Sequence, residues 1–369
     1  MWNRIFIGGA LLSLTCAARS LSAQPETKPV VFAHGYRADA STWTIVPQLV
    51  NAWYIRAYVP SGPRFAQYQT QGEVLRQDVG PDTVGLVGVG HSNGGIVLRE
   101  ARSQGLPLQA LITAGTPHGG APFAQNFAEG FVFSTATLFE VAILNPFIGL
   151  PTPHSWWAYV TQNGLRLAAL TWPAAYFAYL GQEHNADVLP QMYPNSTYRS
   201  TLLARPNPAG SPESAIPVRV AIKARAHNPT SGIIFAGGLP TQITALKRGV
   251  QTNIGIYFAL AEYWSYRAAR AHVYDPARAA MAAAPAKFVI GASAFAGLDR
   301  SWCRIIGTYQ GPYFPCALSD GVVPTSLQGW TGAINLDITS LGHSYLTKDP
   351  AVASTIGDIG FSLAGVVRR

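Results

Sequence analysis

The run from Val84 to Gly94 constrains the fold of this 369-residue chain more than any other feature. An uncharged, Val-rich stretch (Val84 to Val89) leads into Gly90-His91-Ser92-Asn93-Gly94, and a helical pattern follows from Asn93 to Gln104. A strand that is apolar on both faces must be covered on both sides. The same alternation fills the rest of the first half. Strands are predicted at 30–33, 54–59, 84–89 and 108–113, with helices at 42–53, 71–79 and 93–104. Later strands are predicted at 218–223 and 334–338, and a terminal helix at 350–367. This pattern predicts an α/β protein, a mostly parallel sheet with helices on both faces.

Two stretches break the alternation. Residues 122–205 are rich in Phe, Leu, Ala, Tyr and Trp and are interrupted by Pro, as short helices inserted between core strands would be. Residues 240–286 read as a second helical insertion, with a break at Pro276. Residues 24–369 are therefore expected to form one domain carrying both insertions. Residues 1–23 stand apart. Arg4 precedes an apolar run from Ile5 to Cys16, and mostly small residues lead to Ala23. That is the layout of a secretory signal peptide, and its apolar run is shorter than the ~20 residues a membrane span needs. The expectation is a secreted or periplasmic protein without an integral span once the signal is removed.

Composition narrows the class. Charged residues make up 12% of the chain, about half the roughly 25% usual for soluble domains. A disordered chain needs the opposite balance. Three cysteines are too few for a disulfide-dense mini-protein. The net charge of +8 is scattered, with no run of five basic residues, so no nucleic-acid partner is expected. Cys303 and Cys316 remain after signal removal, and in an exported protein such a pair reads as a disulfide. The low charge is concentrated in 122–180, where Glu129, Glu140 and Arg166 are the sole charged residues. An apolar lid or acyl pocket, in contact with a lipid interface, is expected there.

Gly90-His91-Ser92-Asn93-Gly94 fits G-x-S-x-G in the strand–turn–helix setting that exposes a serine hydroxyl on a tight turn. The helix N-terminus behind Ser92 would favour a developing oxyanion. A serine nucleophile needs a base and a group that orients it. His343, in the loop after the last predicted strand, is the candidate base. Asp320, heading the turn Asp320-Gly321-Val322-Val323-Pro324, is the candidate acid, with Asp337 the runner-up. Two backbone N–H groups should line an oxyanion hole: those of Asn93 and of Tyr36, which follows His34-Gly35. The Tyr36 side chain is expected at the pocket mouth. His34 and His118 read as loop-shaping residues. No metal-ligand spacing is present and no cofactor is implied.

Together His34-Gly35-Tyr36 with Trp43, Gly90 to Gly95, Gly115-Thr116-Pro117-His118-Gly119-Gly120 and Asp320 to Pro324 resemble the α/β-hydrolase superfamily. They are most similar to its triacylglycerol-lipase, lecithin–cholesterol acyltransferase and GPI inositol-deacylase-like group. Asp187-Val188-Leu189-Pro190 also resembles a segment that follows the lid in such enzymes. The resemblance implies an α/β-hydrolase fold with an inserted helical lid. It further implies a catalytic Ser92, His343 and Asp320 acting on apolar or lipid-like esters. An acyltransferase and a polyester hydrolase would use the same residues, and the sequence leaves them open.

Overall fold

The computed structural model describes residues 28–36, 38, 40–43, 45–49, 55–58, 65–80, 83–130, 186–204, 216–225, 240–311, 316–339 and 342–365. The expected signal segment 1–23 and residues 131–185 of the expected lid lie outside them, as do His154, His184 and His227.

Six strands form one sheet: β1 (Val30–Ala33), β2 (Ile55–Tyr58), β3 (Leu86–His91), β4 (Leu108–Ala114), β5 (Val218–Arg225) and β6 (Ile334–Thr339). Their order is β2-β1-β3-β4-β5-β6, and every neighbouring pair is parallel. Strand parity sorts the apolar side chains into two cores. Val31, Ala33, Leu111 and Ala221 face one side, with Leu75 of α1 (Tyr68–Val79) and Leu98 and Ala101 of α2 (Asn93–Ser103). Val30, Phe32, Val87, Val89, Ile112 and Ile222 face the other, against Val352, Ile356 and Phe361 of the C-terminal helix. A large-to-small change in either layer should cost about 2–5 kcal/mol. This is the α/β architecture expected from the alternation, one parallel sheet with helices on both faces, and the strand–turn–helix around Ser92 lies at its centre.

The described parts of 122–205 contain α3 (Pro122–Ala128), α4 (Leu189–Met192) and α5 (Thr197–Ala204). Two long helices follow, α6 (Pro240–Arg270) and α7 (Arg278–Ile305), then the short α8 (Thr325–Gln328).

Four expectations need correction. No α-helix spans the described part of 42–53, where Ala40–Thr42 and Val46–Leu49 are separate 3-10 turns. Pro47 lacks the amide and clashes with the carbonyl four residues earlier. Trp43 instead donates its indole N–H to the Ala33 carbonyl at 3.2 Å. Strand β3 starts at Leu86, after a turn at Val84-Gly85, and ends at His91. The second helix of the hairpin continues past 286 to Ile305, although Pro285 lies inside it. Packing of Met281, Ala284, Phe288 and Ala292 on α6 holds it together. The C-terminal helix runs from Pro350 through a π-helical turn (Ile356–Phe361) and closes at Ala364, before Gly365.

Candidate active site

Ser92 joins β3 to α2 with φ 53° and ψ −128°. Among the described residues no other non-glycine has positive φ. Such a conformation costs of order 1–3 kcal/mol and persists where its surroundings over-determine it. Here the Ser92 N–H donates to the Ala114 carbonyl at 2.9 Å, tying the elbow to the end of β4. The loop after β1 closes the other side. A Cβ on Gly35 would stand 2.9 Å from Ser92 Cβ and 3.3 Å from its Oγ, so a glycine lets that backbone pass the hydroxyl.

His343 opens a 3-10 turn (His343–Tyr345) beyond β6. Its Nε2 lies 2.7 Å from Ser92 Oγ, and its Nδ1 lies 2.6 Å from Asp320 Oδ2. Asp320 is fully buried. Its other oxygen, Oδ1, accepts the N–H groups of Val322 (2.9 Å) and Val323 (2.7 Å). The two loops are also joined directly, because the His343 N–H donates to the Asp320 carbonyl at 2.9 Å. With the carboxylate accepting from Nδ1–H, Nε2 keeps its lone pair for the serine hydroxyl. The structure thus brings together all three residues singled out from the sequence.

The Asp320 loop is anchored from α7. Cys303 and Cys316 form a disulfide with a Cα–Cα distance of 6.0 Å. Trp302 donates its indole N–H to the Gly321 carbonyl at 2.8 Å. Thr325 on α8 donates its hydroxyl to the Ala224 carbonyl at 3.0 Å, fixing the far side of the turn to β5.

Three residues of the site were not singled out from the sequence. His91 is buried beneath the His343 loop, and its Nε2–H donates to the His343 carbonyl at 2.9 Å. Burial first, and the neighbouring His343 next, push its pKa down to about 3, so it stays neutral. Strand parity carried the signal, since His91 follows Val87 and Val89 on the face of Phe32 and Trp43. Tyr68, at the start of α1, donates its hydroxyl to Asn93 Oδ1, and burial holds its phenol well above the ordinary tyrosine range. Gly115, with φ +61°, supports the acid–base pair from below. A Cβ there would meet Leu346 Cδ1 at 2.6 Å, Asp320 Oδ2 at 3.2 Å and His343 Nδ1 at 3.3 Å.

Asn93 is the first residue of α2, where backbone N–H groups have no intrahelical acceptor. Tyr36 is half-buried, its ring edge-on to Phe65 at 5.5 Å. The other candidates are occupied elsewhere. Asp337 pairs with Lys223 (3.1 Å) and Arg225 (3.7 Å) on the sheet edge. His118 is engaged by Arg99 and Thr113, each at 3.0 Å, and stacks on Trp330. His34 Nδ1 contacts the Gly35 carbonyl at 2.9 Å. Among the described residues no group of three or more His, Cys, Asp or Glu could hold a metal ion.

No family model matches this chain, and no curated protein matches it. Several solved structures are similar to it. The mature form of the Bacillus licheniformis lipase BlEst2 is 15% identical, with 93% of this chain and 94% of that one covered and a TM-score of 0.41. Its propeptide form is 15% identical over 94% of this chain and 51% of that one, with a TM-score of 0.39. Phospholipase PlaB from Legionella pneumophila is 13% identical over 55% of this chain and 40% of that one, with a TM-score of 0.33.

Proposed function

We propose that the protein is an exported serine hydrolase of carboxylic esters, with apolar or lipid-like esters as its substrate class. The observation that carries this reading is the continuous chain Ser92 Oγ–His343 Nε2 (2.7 Å) and His343 Nδ1–Asp320 Oδ2 (2.6 Å) on a strained elbow. Ser92 Oγ attacks the ester carbonyl carbon while its proton passes to His343 Nε2. The Asp320 carboxylate steadies the imidazolium. The oxyanion rests on the backbone N–H groups of Asn93 and Tyr36, aided by the positive end of α2. The C–O bond to the alcohol then breaks, and the alcohol leaves with the proton from His343. A water molecule gives a proton to His343 and attacks the acyl carbon; the C–Oγ bond then breaks, Ser92 Oγ takes the proton back from His343, and the acid leaves.

The substrate class follows from the charge-poor stretch 122–180 beside the elbow in sequence. Export follows from the layout of residues 1–23 and from the Cys303–Cys316 bridge, a bond characteristic of oxidising compartments. A chain-length series of p-nitrophenyl esters tests the reading. Hydrolysis by the wild type, abolished in Ser92→Ala, is expected. Absence of turnover on every ester, or full turnover in Ser92→Ala, overturns it.

A further inference from the structure

The helical hairpin α6–α7 takes no part in the chemistry proposed above. Its helices have 31 and 28 residues, so each runs for about 40 Å or more at 1.5 Å per residue. Among the described residues they pack chiefly on each other. Tyr257, Ala261 and Trp264 meet Met281, Ala284, Phe288 and Ala292 in a core separate from the two beside the sheet. The base of α7 is tied to the Asp320 loop through Cys303 and Trp302. The tip, residues 271–277, therefore stands about 40 Å along α7 from that anchor.

The tip presents Val273, 70% exposed, and Tyr274, 86% exposed. Arg267, Arg270 and Arg278, all exposed, flank them in sequence, and Arg270 sits 4.5 Å over the Tyr266 ring. Asp275 is the one acid between 267 and 278, and its carboxylate accepts the Ala277 N–H at 2.8 Å. Ile256, Tyr263 and Tyr266 continue an exposed apolar row down α6, on the side away from Tyr257, Ala261 and Trp264. One apolar stripe of α6 is thus packed and a second is open.

We propose that this tip docks the protein on an anionic lipid surface. Val273 and Tyr274 enter the boundary between head groups and acyl chains, and the three arginines pair with lipid phosphates. An exposed aromatic residue flanked by arginines suits that boundary, where one end of a side chain is dry and the other wet. A second copy of the chain fits less well, because it would set three arginines against three, with one aspartate on each side, each accepting an Ala277 N–H. No described helix is long and apolar enough to cross a membrane, so the contact lies on the surface. It does not depend on the hydrolase reading, since binding is measured without turnover.

Cosedimentation of the full chain with vesicles of equal parts phosphatidylcholine and phosphatidylglycerol tests this. Binding is expected, and weaker binding to vesicles of phosphatidylcholine alone. The double variant Val273→Asp, Tyr274→Asp should lose about tenfold or more in partitioning. Replacing the three arginines by glutamine should cost about fivefold for each, on anionic vesicles alone. Helical circular dichroism and turnover of a short soluble ester should be unchanged in both variants. Wild type that ignores vesicles, or tip variants that bind as wild type does, would overturn the proposal. So would a wild-type dimer in sedimentation velocity that the tip variant splits.

Discussion

Replacing Asp320 by asparagine separates the two duties of its carboxylate. Oδ1 accepts two backbone N–H groups, from Val322 at 2.9 Å and Val323 at 2.7 Å, while Oδ2 takes His343 Nδ1–H at 2.6 Å. In Asp320→Asn the amide oxygen must occupy the Oδ1 place, because an NH₂ there would face two donors. The NH₂ then faces His343 Nδ1. The ring can accept that hydrogen bond if its own proton moves to Nε2, and that tautomer has no lone pair for the Ser92 hydroxyl. Turning the amide over restores the useful tautomer but strands the buried N–H of Val323 and the partly buried N–H of Val322, at about 1–3 kcal/mol each. Together that is about 2–6 kcal/mol, and at about 1.4 kcal/mol per decade the productive form falls by roughly 30-fold to 10⁴-fold. The expected result is a fall of that size in kcat/KM on a short p-nitrophenyl ester, with a thermal midpoint within a few degrees of wild type. A folded variant that loses less than tenfold would refute the orienting role. Asp337→Asn, which removes the partner of Lys223 and Arg225 at the sheet edge, should stay within about twofold, as expected for an exposed ion pair of small net worth.

Other residues offer independent checks. Gly115→Ala places a methyl group 2.6 Å from Leu346 Cδ1 at a φ of +61°. It should lower stability by about 1–3 kcal/mol and turnover by more than tenfold, read from thermal melts and initial rates; a fully active variant would show that the acid–base pair does not rest on this backbone. Cys303→Ala with Cys316→Ala opens a loop of 13 residues and should cost about 3 kcal/mol in denaturant unfolding, with wild-type stability the contrary result. Tyr68→Phe leaves Asn93 Oδ1 without its buried donor; a loss of about 1–3 kcal/mol in stability is expected. His91 is held neutral with a pKa near about 3, whereas an unfolded histidine titrates near 6.5. Between these values the unfolded chain binds more protons, so stability falls as pH drops from about 6.5 toward 3, by up to roughly 5 kcal/mol for this group. His91→Gln should flatten that acid limb, and an unaltered slope of unfolding free energy against pH would exclude His91 as its source.

Much of the site is written in consecutive residues. An apolar strand, two glycines and a helix start place Ser92 without reference to the rest of the chain. A turn signal does the same for Asp320, and position after the last strand does so for His343. The partners that steady them are not local. His91 meets the His343 carbonyl across 252 residues, and Tyr68 meets Asn93 across 25. Gly115 reads as one glycine of a turn until the fold brings Asp320 and His343 against it. Such contacts depend on how loops stack at the ends of the strands, a tertiary property without a sequence period.

The hairpin fails to read out for a different reason. Pro276 and Pro285 carry the same breaking signal, yet the chain turns at the first and stays helical through the second. What separates them is packing. Ala284 and Phe288 flank Pro285 and are buried against α6, so continuing the helix keeps a core that breaking it would open. Periodicity is equally blind to the outer stripe. Ile256, Tyr263 and Tyr266 repeat with the helix just as Tyr257, Ala261 and Trp264 do, and a helix apolar on both sides reads as buried. Only the second set is covered. The low charge of the chain therefore has a source outside 122–180: part of it belongs to a surface that the fold leaves facing outward, which is why a lipid surface rather than a hidden core is the partner to test.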